Sequence, residues 1–243
     1  MIIDDTINKR LRGQVALVTG ANRGIGLAIA RSLGRLGASL SLCARGEKEL
    51  LEVAAEIERE GVPARAIVAD VTRPGDIASL VERTERELGP ISILVNNAGV
   101  GYFAPVQEAA EANWDIVLDT NLKAVFLLSK AVAPGMIERG KGHIINIASL
   151  AGKNAFAGGS VYCASKWGLL GLTKCMAEDL RGHGIRVSAV CPGSVATDFS
   201  PHANKDLSKM LQPEDVALAV ETIVLQAPQS FISEVELRPA QKP

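Results

Sequence analysis

The sequence predicts an α/β fold: a single doubly wound domain over residues 1–243, with a parallel sheet of about seven strands flanked by helices. Two observations carry this. Short runs of nearly continuous apolar residues alternate with longer stretches of helical period along the chain. Strands of that composition are buried on both faces, which is the condition of a parallel sheet with helices on either side. No linker, repeat or low-complexity segment breaks the alternation, and the crossovers are expected to be right-handed.

Taken in order, "QVALVTG" is a strand closed by Gly20, and residues 24–36 repeat apolar side chains at helical spacing. "ASLSLCA" is a second strand, and residues 47–60 form a charged amphipathic helix stopped by Gly61 and Pro63. "RAIVAD" is a third strand, followed by a helix over 74–88 with Pro74 at its start, where a missing N–H costs nothing. "ISILVNN" is a fourth strand, and a helical stretch runs from about 115 to 138. "GHIINIAS" is a fifth strand, 161–180 a helix and "IRVSAVCPG" a sixth strand. Residues 213–225 form a helix opened by Pro213 and acidic side chains, and "FISEVEL" supplies a final strand.

The bulk properties narrow the function. An apolar fraction of 47% over 243 residues can build a sizeable core. The net charge is −1, with 26 basic and 27 acidic residues and no block of one sign, so neither nucleic acid nor a membrane surface has an electrostatic footprint here. The start "MIIDDTINKRLRG" lacks the basic and apolar regions of a secretory signal. The uncharged window 88–107 contains Pro90, Asn96, Asn97, Gly99, Gly101 and Pro105, which no membrane helix would tolerate together. Cys43, Cys163, Cys175 and Cys191 form no Cys-x-x-Cys pair, which fits a reduced, cytoplasmic setting. His143, His183 and His202 lack ligand spacing, so no metal site is expected.

"VALVTGANRGIGLAIA" reads as strand, glycine-rich turn and helix start. Gly20, Gly24 and Gly26 answer three needs: a tight turn, backbone approach to a phosphate, and close packing of helix on strand. The helix N-terminus then offers free N–H groups to a pyrophosphate. The plain alternative is a structural turn. At the end of the second strand, an Asp or Glu would bond a free ribose 2′-OH. Here stand Ala44 and Arg45, with no acid before Glu47, and Arg23 lies in the glycine loop. Two guanidiniums suit a 2′-phosphate, so the expected cofactor is NADP(H); the alternative is that either is only a solvated charge.

"SVYCASKWG" places Tyr162 and Lys166 four residues apart on one helical face. A free phenol ionises near pH 10 and is a poor acid or base at neutrality. A nearby ammonium is expected to lower that value, so the pair could exchange a proton with an alcohol or ketone. Ser149, at the C-terminal end of a parallel strand, faces the ligand crevice of such sheets and could hold the substrate oxygen. Cys163, with nothing to activate it, is expected to be a packing thiol.

"TGANRGIG", "NNAG", "NIAS", "YCASK" and "CPG" occur in the order and spacing of the short-chain dehydrogenase/reductase family, and this resemblance covers nearly the whole chain. It implies a Rossmann-like fold in which Tyr162 is the catalytic acid/base and Ser149 orients the carbonyl. Lys166 then tunes the tyrosine and bonds the nicotinamide ribose, and Asn121 holds a water that leads from the lysine to solvent. Without the resemblance Asn121 reads as an ordinary helix-surface residue. The family pattern further implies that Asp70 and Val71 lie near the adenine. It sets Asn97, Ala98 and Gly99 over the cofactor, and Pro192, Gly193, Val195 and Thr197 beside the nicotinamide. Asn22 and Ile25 complete the glycine loop. For Asp70 the alternative is an N-cap of the helix near Pro74.

The resemblance implies that residues 194–211, with Phe199, His202 and Lys205, close over the substrate, while "GVGYFAP" and "LAGKNAFAGG" line the same pocket. Small and aromatic residues there favour an apolar small-molecule carbonyl compound over a highly charged one. The ending "ISEVELRPAQKP" departs from relatives that reduce 3-oxoacyl groups on acyl carrier protein, so that activity and that partner are the alternative. The resemblance also implies a homo-oligomer, a dimer or tetramer, paired through residues 121–137 and 161–180. A reading of another class, a dinucleotide-binding regulator without chemistry, predicts loss of Tyr162 or Lys166, and both are present.

Overall fold

All seven apolar runs become strands of one sheet, and every pairing in it is parallel. The computed structural model describes residues 10–199 and 206–242. The first nine residues of the opening segment lie outside the described residues, as do His202 and Lys205. In chain order the strands are β1 (Val15–Thr19), β2 (Ser39–Ala44), β3 (Ala64–Val68), β4 (Ile91–Asn96), β5 (Gly142–Ile147), β6 (Ile185–Pro192) and β7 (Glu234–Leu237). The helices are α1 (Gly24–Arg35), α2 (Glu47–Arg59), α3 (Pro74–Leu88), α4 (Glu111–Leu118), α5 (Ala124–Arg139), α6 (Ser160–Arg181) and α7 (Pro213–Val224).

The strand order is β3-β2-β1-β4-β5-β6-β7, so the winding reverses between β1 and β4. A crevice opens at the carboxyl ends of the strands at such a reversal. Alternation along each strand separates two cores. Ala16, Val18, Leu40, Leu42 and Ile145 pack with Ile29, Leu33, Leu50, Ile57, Val220 and Ile223 of α1, α2 and α7. Leu17, Cys43, Leu94 and Ile144 point the other way, against Leu80, Leu128, Met136 and Leu180 of α3, α5 and α6. Central strands are buried almost throughout, whereas edge strands β3 and β7 are half in solvent. The uncharged window 88–107 folds as the end of α3, β4 and a loop, and no helix among the described residues is long and apolar enough to cross a membrane.

The long helix expected over 115–138 differs in detail. It begins earlier, at Glu111, and the stretch Asp119–Lys123 is wound as a π turn between α4 and α5. A π turn inserts one residue into the helical repeat and re-aims the side chains around it. The residue it turns inward is Asn121, which is 1% exposed.

One buried polar group has a consequence for stability. His143 in β5 is 2% exposed; its Nε2 lies 2.9 Å from the Ser188 hydroxyl, while Nδ1 has no partner. Burial, helped by the charge of Arg186, pushes its pKa from 6.5 down to about 3. The folded chain therefore keeps this ring neutral in a range where the unfolded chain protonates it, and stability falls as pH drops from 6.5 towards 3. At roughly 1.4 kcal/mol per pH unit, urea denaturation at pH 5 is expected to show on the order of 2 kcal/mol less stability from this group than at pH 7. His143→Gln should remove that part of the slope. An unchanged slope in the variant would show that His143 is not the group responsible.

Candidate active site

The carboxyl ends of β1, β4, β5 and β6 border one cleft of about 1630 Å³. At its floor the β1–α1 turn is built by close approach. Gly20 has φ +64°, and a side chain there would meet the Asn97 amide at 2.9 Å. A side chain at Gly26 would collide with the Gly20 carbonyl, so α1 can press on β1 only through glycine. Gly26 therefore packs behind the cleft, while Gly20, Asn22, Arg23, Gly24 and Ile25 line it. The first turn of α1 holds no acidic side chain and no side-chain cap, which leaves its N–H groups for an anion.

Asn97 anchors the facing loop: its Nδ2 donates to the carbonyls of Thr19 (2.9 Å) and Gly20 (3.2 Å). The N–H groups of Asn97 and Ala98 both donate to the Thr19 hydroxyl at 3.0 Å. Asn97, Ala98 and Gly99 are thereby stitched to β1 and line the cleft from the β4 side. Below them Asn96 donates to Asn146 at 2.8 Å, and Asn146 to Thr173 of α6 at 2.8 Å, which ties the two central strands to the helix carrying the tyrosine.

Asp70 and Val71 stand in the cleft wall after β3. Asp70 does not cap α3, whose N-cap is Arg73; it accepts instead from the Thr72 N–H (3.0 Å) and hydroxyl (2.7 Å). Burial works to raise its pKa, but the Thr72 bonds together with Arg45 and Arg73 outweigh that and hold it low. The expectation of two guanidiniums without a carboxylate needs correction. Arg23 and the exposed Arg45 do line this end, but so does Glu49 from the first turn of α2, and Arg23 lies 3.5 Å from Asp198. Both members of that pair are largely in water, so it holds Arg23 only weakly. The sequence hid these acids because one lies on a helix and the other arrives from the far side of β6.

At the other end, Tyr162 and Lys166 are buried on one face of α6, with the ammonium 5.8 Å from the centre of the phenol ring. Lys166 Nζ donates to the Ile147 carbonyl at 2.9 Å. The expected lowering of the phenol pKa by the lysine is not what this geometry produces. Burial pushes Tyr162 up to about 12, with a hydrogen bond to Ser149 pulling the other way, and burial pushes Lys166 down to about 8. Both charged forms lose hydration in this pocket, and that loss outweighs the contacts that favour them. Ser149 follows β5, its Oγ accepting from the Ala151 N–H at 3.1 Å, so its hydroxyl is fixed beside the tyrosine. Cys163 is buried, its Sγ 3.9 Å from the Asn154 carbonyl.

Pro192 and Gly193 close β6, and the Gly193 N–H donates to Leu237 at 2.8 Å, so the last strand sets their position. Val195 pairs with Leu211, and Thr197 lies over Gly24, whose added Cβ would stand 3.3 Å from its methyl group. Residues 238–242 also line the cleft, a contribution the sequence did not reveal.

Asn121 does not line the cleft; it stands directly behind it. Its Oδ1 accepts from the Val100 N–H (2.8 Å), and its Nδ2 donates to the Val100 carbonyl (2.9 Å) and Ser165 hydroxyl (3.1 Å). One buried amide thus holds the loop after β4 against α6. Asn121→Ala leaves those Val100 groups unpaired and is expected to cost roughly 1–3 kcal/mol. Hydrogen exchange should show faster exchange at Val100, while Asn121→Asp keeps the acceptor and protects that N–H. Wild-type exchange rates at Val100 in Asn121→Ala would contradict the assignment.

Comparison with known proteins agrees with this geometry. The family model for short chain dehydrogenase matches residues 14–208. The chain is 42% identical over 190 residues to gluconate 5-dehydrogenase of Gluconobacter oxydans, covering 78% of this chain and 74% of that one. It is 38% identical over 215 residues to the ketoacyl reductase HetN of Nostoc, covering 86% and 75%. A metagenomic short-chain oxidoreductase solved in complex with NADP superposes with a TM-score of 0.86 at 47% identity, covering 96% of this chain and all of that one. With the glycine turn, the tyrosine–lysine helix and the serine strand end brought to one cleft, the chain belongs to the short-chain dehydrogenase family.

Proposed function

We propose that the protein is an NADP(H)-dependent oxidoreductase that interconverts a ketone and a secondary alcohol. The observation that carries this is the placement of Tyr162, Ser149 and Lys166 in the same cleft as an uncapped helix N-terminus lined by glycine. The cradle suits the cofactor, because Gly20 and Gly24 leave backbone where side chains would fill the space. Gly20 to Ile25, Arg45, Asp70, Val71 and the Asn97–Gly99 loop would hold its adenosine and phosphate end, and Pro192, Gly193, Val195 and Thr197 the nicotinamide end. When bound, NADPH supplies the hydride.

The chain's own residues manage the proton. Ser149 donates a hydrogen bond to the carbonyl oxygen and fixes its place beside the phenol. Tyr162, protonated at neutral pH because its pKa stands near 12, gives its proton to that oxygen as the alcohol forms. Lys166 stabilises the resulting phenolate, since a negative neighbour favours its ammonium form over the neutral amine. Asn121 holds the loop after β4 beside this pair through its bonds to Val100. The exposed Phe126 and Trp167 of α5 and α6 support pairing of these helices with a second copy.

The test is NADPH oxidation with a panel of ketones run beside an acetoacetyl thioester. Reduction of ketones is expected, and failure to oxidise NADPH with any carbonyl would contradict the reading. A charge-assisted bond to a 2′-phosphate contributes on the order of 1.5–3 kcal/mol, so a preference for NADPH over NADH of at least about tenfold in kcat/KM is expected at low salt. Combining Ala44→Asp with Arg45→Ala should shift the preference towards NADH. Equal specificity constants in the wild type would show that Arg23 and Arg45 serve other contacts.

A further inference from the structure

Three of the chain's five phenylalanines form one connected group with Tyr162. Phe103 meets the tyrosine edge-on at 5.3 Å between ring centres, Phe199 meets it at 5.8 Å, and Phe156 meets Phe103 at 6.0 Å. They come from three separate places, the loop after β4, the segment before α6 and the segment after β6. Such convergence has no local cause in the chain.

The rings are seated. A Cβ at Gly101 would stand 2.9 Å from Phe103 and 3.0 Å from Phe199, and one at Gly159 would stand 2.7 Å from Phe156. Two glycines therefore provide the floor on which all three rings lie. The Ala104 N–H donates to the Gly158 carbonyl at 2.9 Å and ties the loop of Phe103 to that of Phe156. Yet the rings are not core: they are 39%, 48% and 42% exposed, and all line the cleft. Rigid apolar faces held open to water beside the catalytic phenol are favourable only when a ligand covers them.

Resting on Tyr162 as the residue that meets the carbonyl, we propose that the substrate carries an aromatic ring close to its carbonyl group, and that Phe103, Phe156 and Phe199 form the box that receives it. Edge and face packing between rings explains why the box is aromatic rather than aliphatic. Among the described residues, Phe103, Phe156 and Phe199 offer a small oxo acid only ring faces, and the acid Asp198 directly precedes Phe199.

The experiment compares ligands that differ only in the ring. Affinities of phenylacetone, cyclohexylacetone and acetoacetate are measured by calorimetry on the NADP⁺-loaded protein, where no turnover competes. Phenylacetone should bind about two- to tenfold more tightly than cyclohexylacetone, and acetoacetate at least about tenfold more weakly than either. Phe156→Leu and Phe103→Leu, at exposed rings, should erase the aromatic preference and leave NADP⁺ affinity unchanged. Equal affinity for the two ring compounds, full preference in both leucine variants, or tightest binding of acetoacetate would overturn the proposal. Ring preference without NADPH oxidation would keep the box and remove the reductase reading. Reduction of all three ketones without ring preference would do the reverse.

Discussion

The site depends on burying a phenol and an ammonium together at the end of a parallel strand. Burial pushes the two groups in opposite directions, Tyr162 up to about 12 and Lys166 down to about 8, so each resists the charge its chemistry requires. The strand–helix frame holds them there regardless: Lys166 is bonded to the last residue of β5, and Tyr162 is wedged among aromatic rings. Such a pair is poised to change charge when a third charge arrives. Ser149, whose hydrogen bond pulls the Tyr162 pKa back down, is fixed by the same strand end.

The rest of the cleft follows from where that strand lies. The reversal of winding between β1 and β4 places a gap beside β5, and the glycine turn of β1 and the Asn97 loop of β4 face each other across it. Asn97 spends its amide on β1 carbonyls, so the loop's small residues keep their backbone towards the cleft. Asn121 performs the matching task for the next loop residue, Val100, from the far side. The two amides are the reason a gap lined largely by loops can hold a defined shape.

Much of this was legible in the sequence. Continuous apolar runs named the central strands, because a strand buried on both faces must be apolar along its length; the edge strands β3 and β7, half in solvent, were named by shorter, mixed runs. The glycine turn, Tyr162, Lys166 and Ser149 were readable because each carries its chemistry within a few residues of its strand or helix end. What escaped was non-local. The π turn at Asn121 shifts the helical phase by one residue inside a stretch too short to fix the phase on both sides, and Glu49, Asp198 and residues 238–242 reach the cleft only through tertiary folding. The phenol's raised pKa also escaped, since sequence spacing shows that a lysine is near but not that water is excluded.

Tyr162 is proposed to deliver the proton on which carbonyl reduction depends. Single-turnover kinetics of the NADPH-loaded protein mixed with ketone isolate that step from product release. For Tyr162→Phe, the account predicts a reduction step slower by about a hundredfold or more, with NADPH affinity unchanged. A reduction rate within a few-fold of the unmodified protein would contradict it.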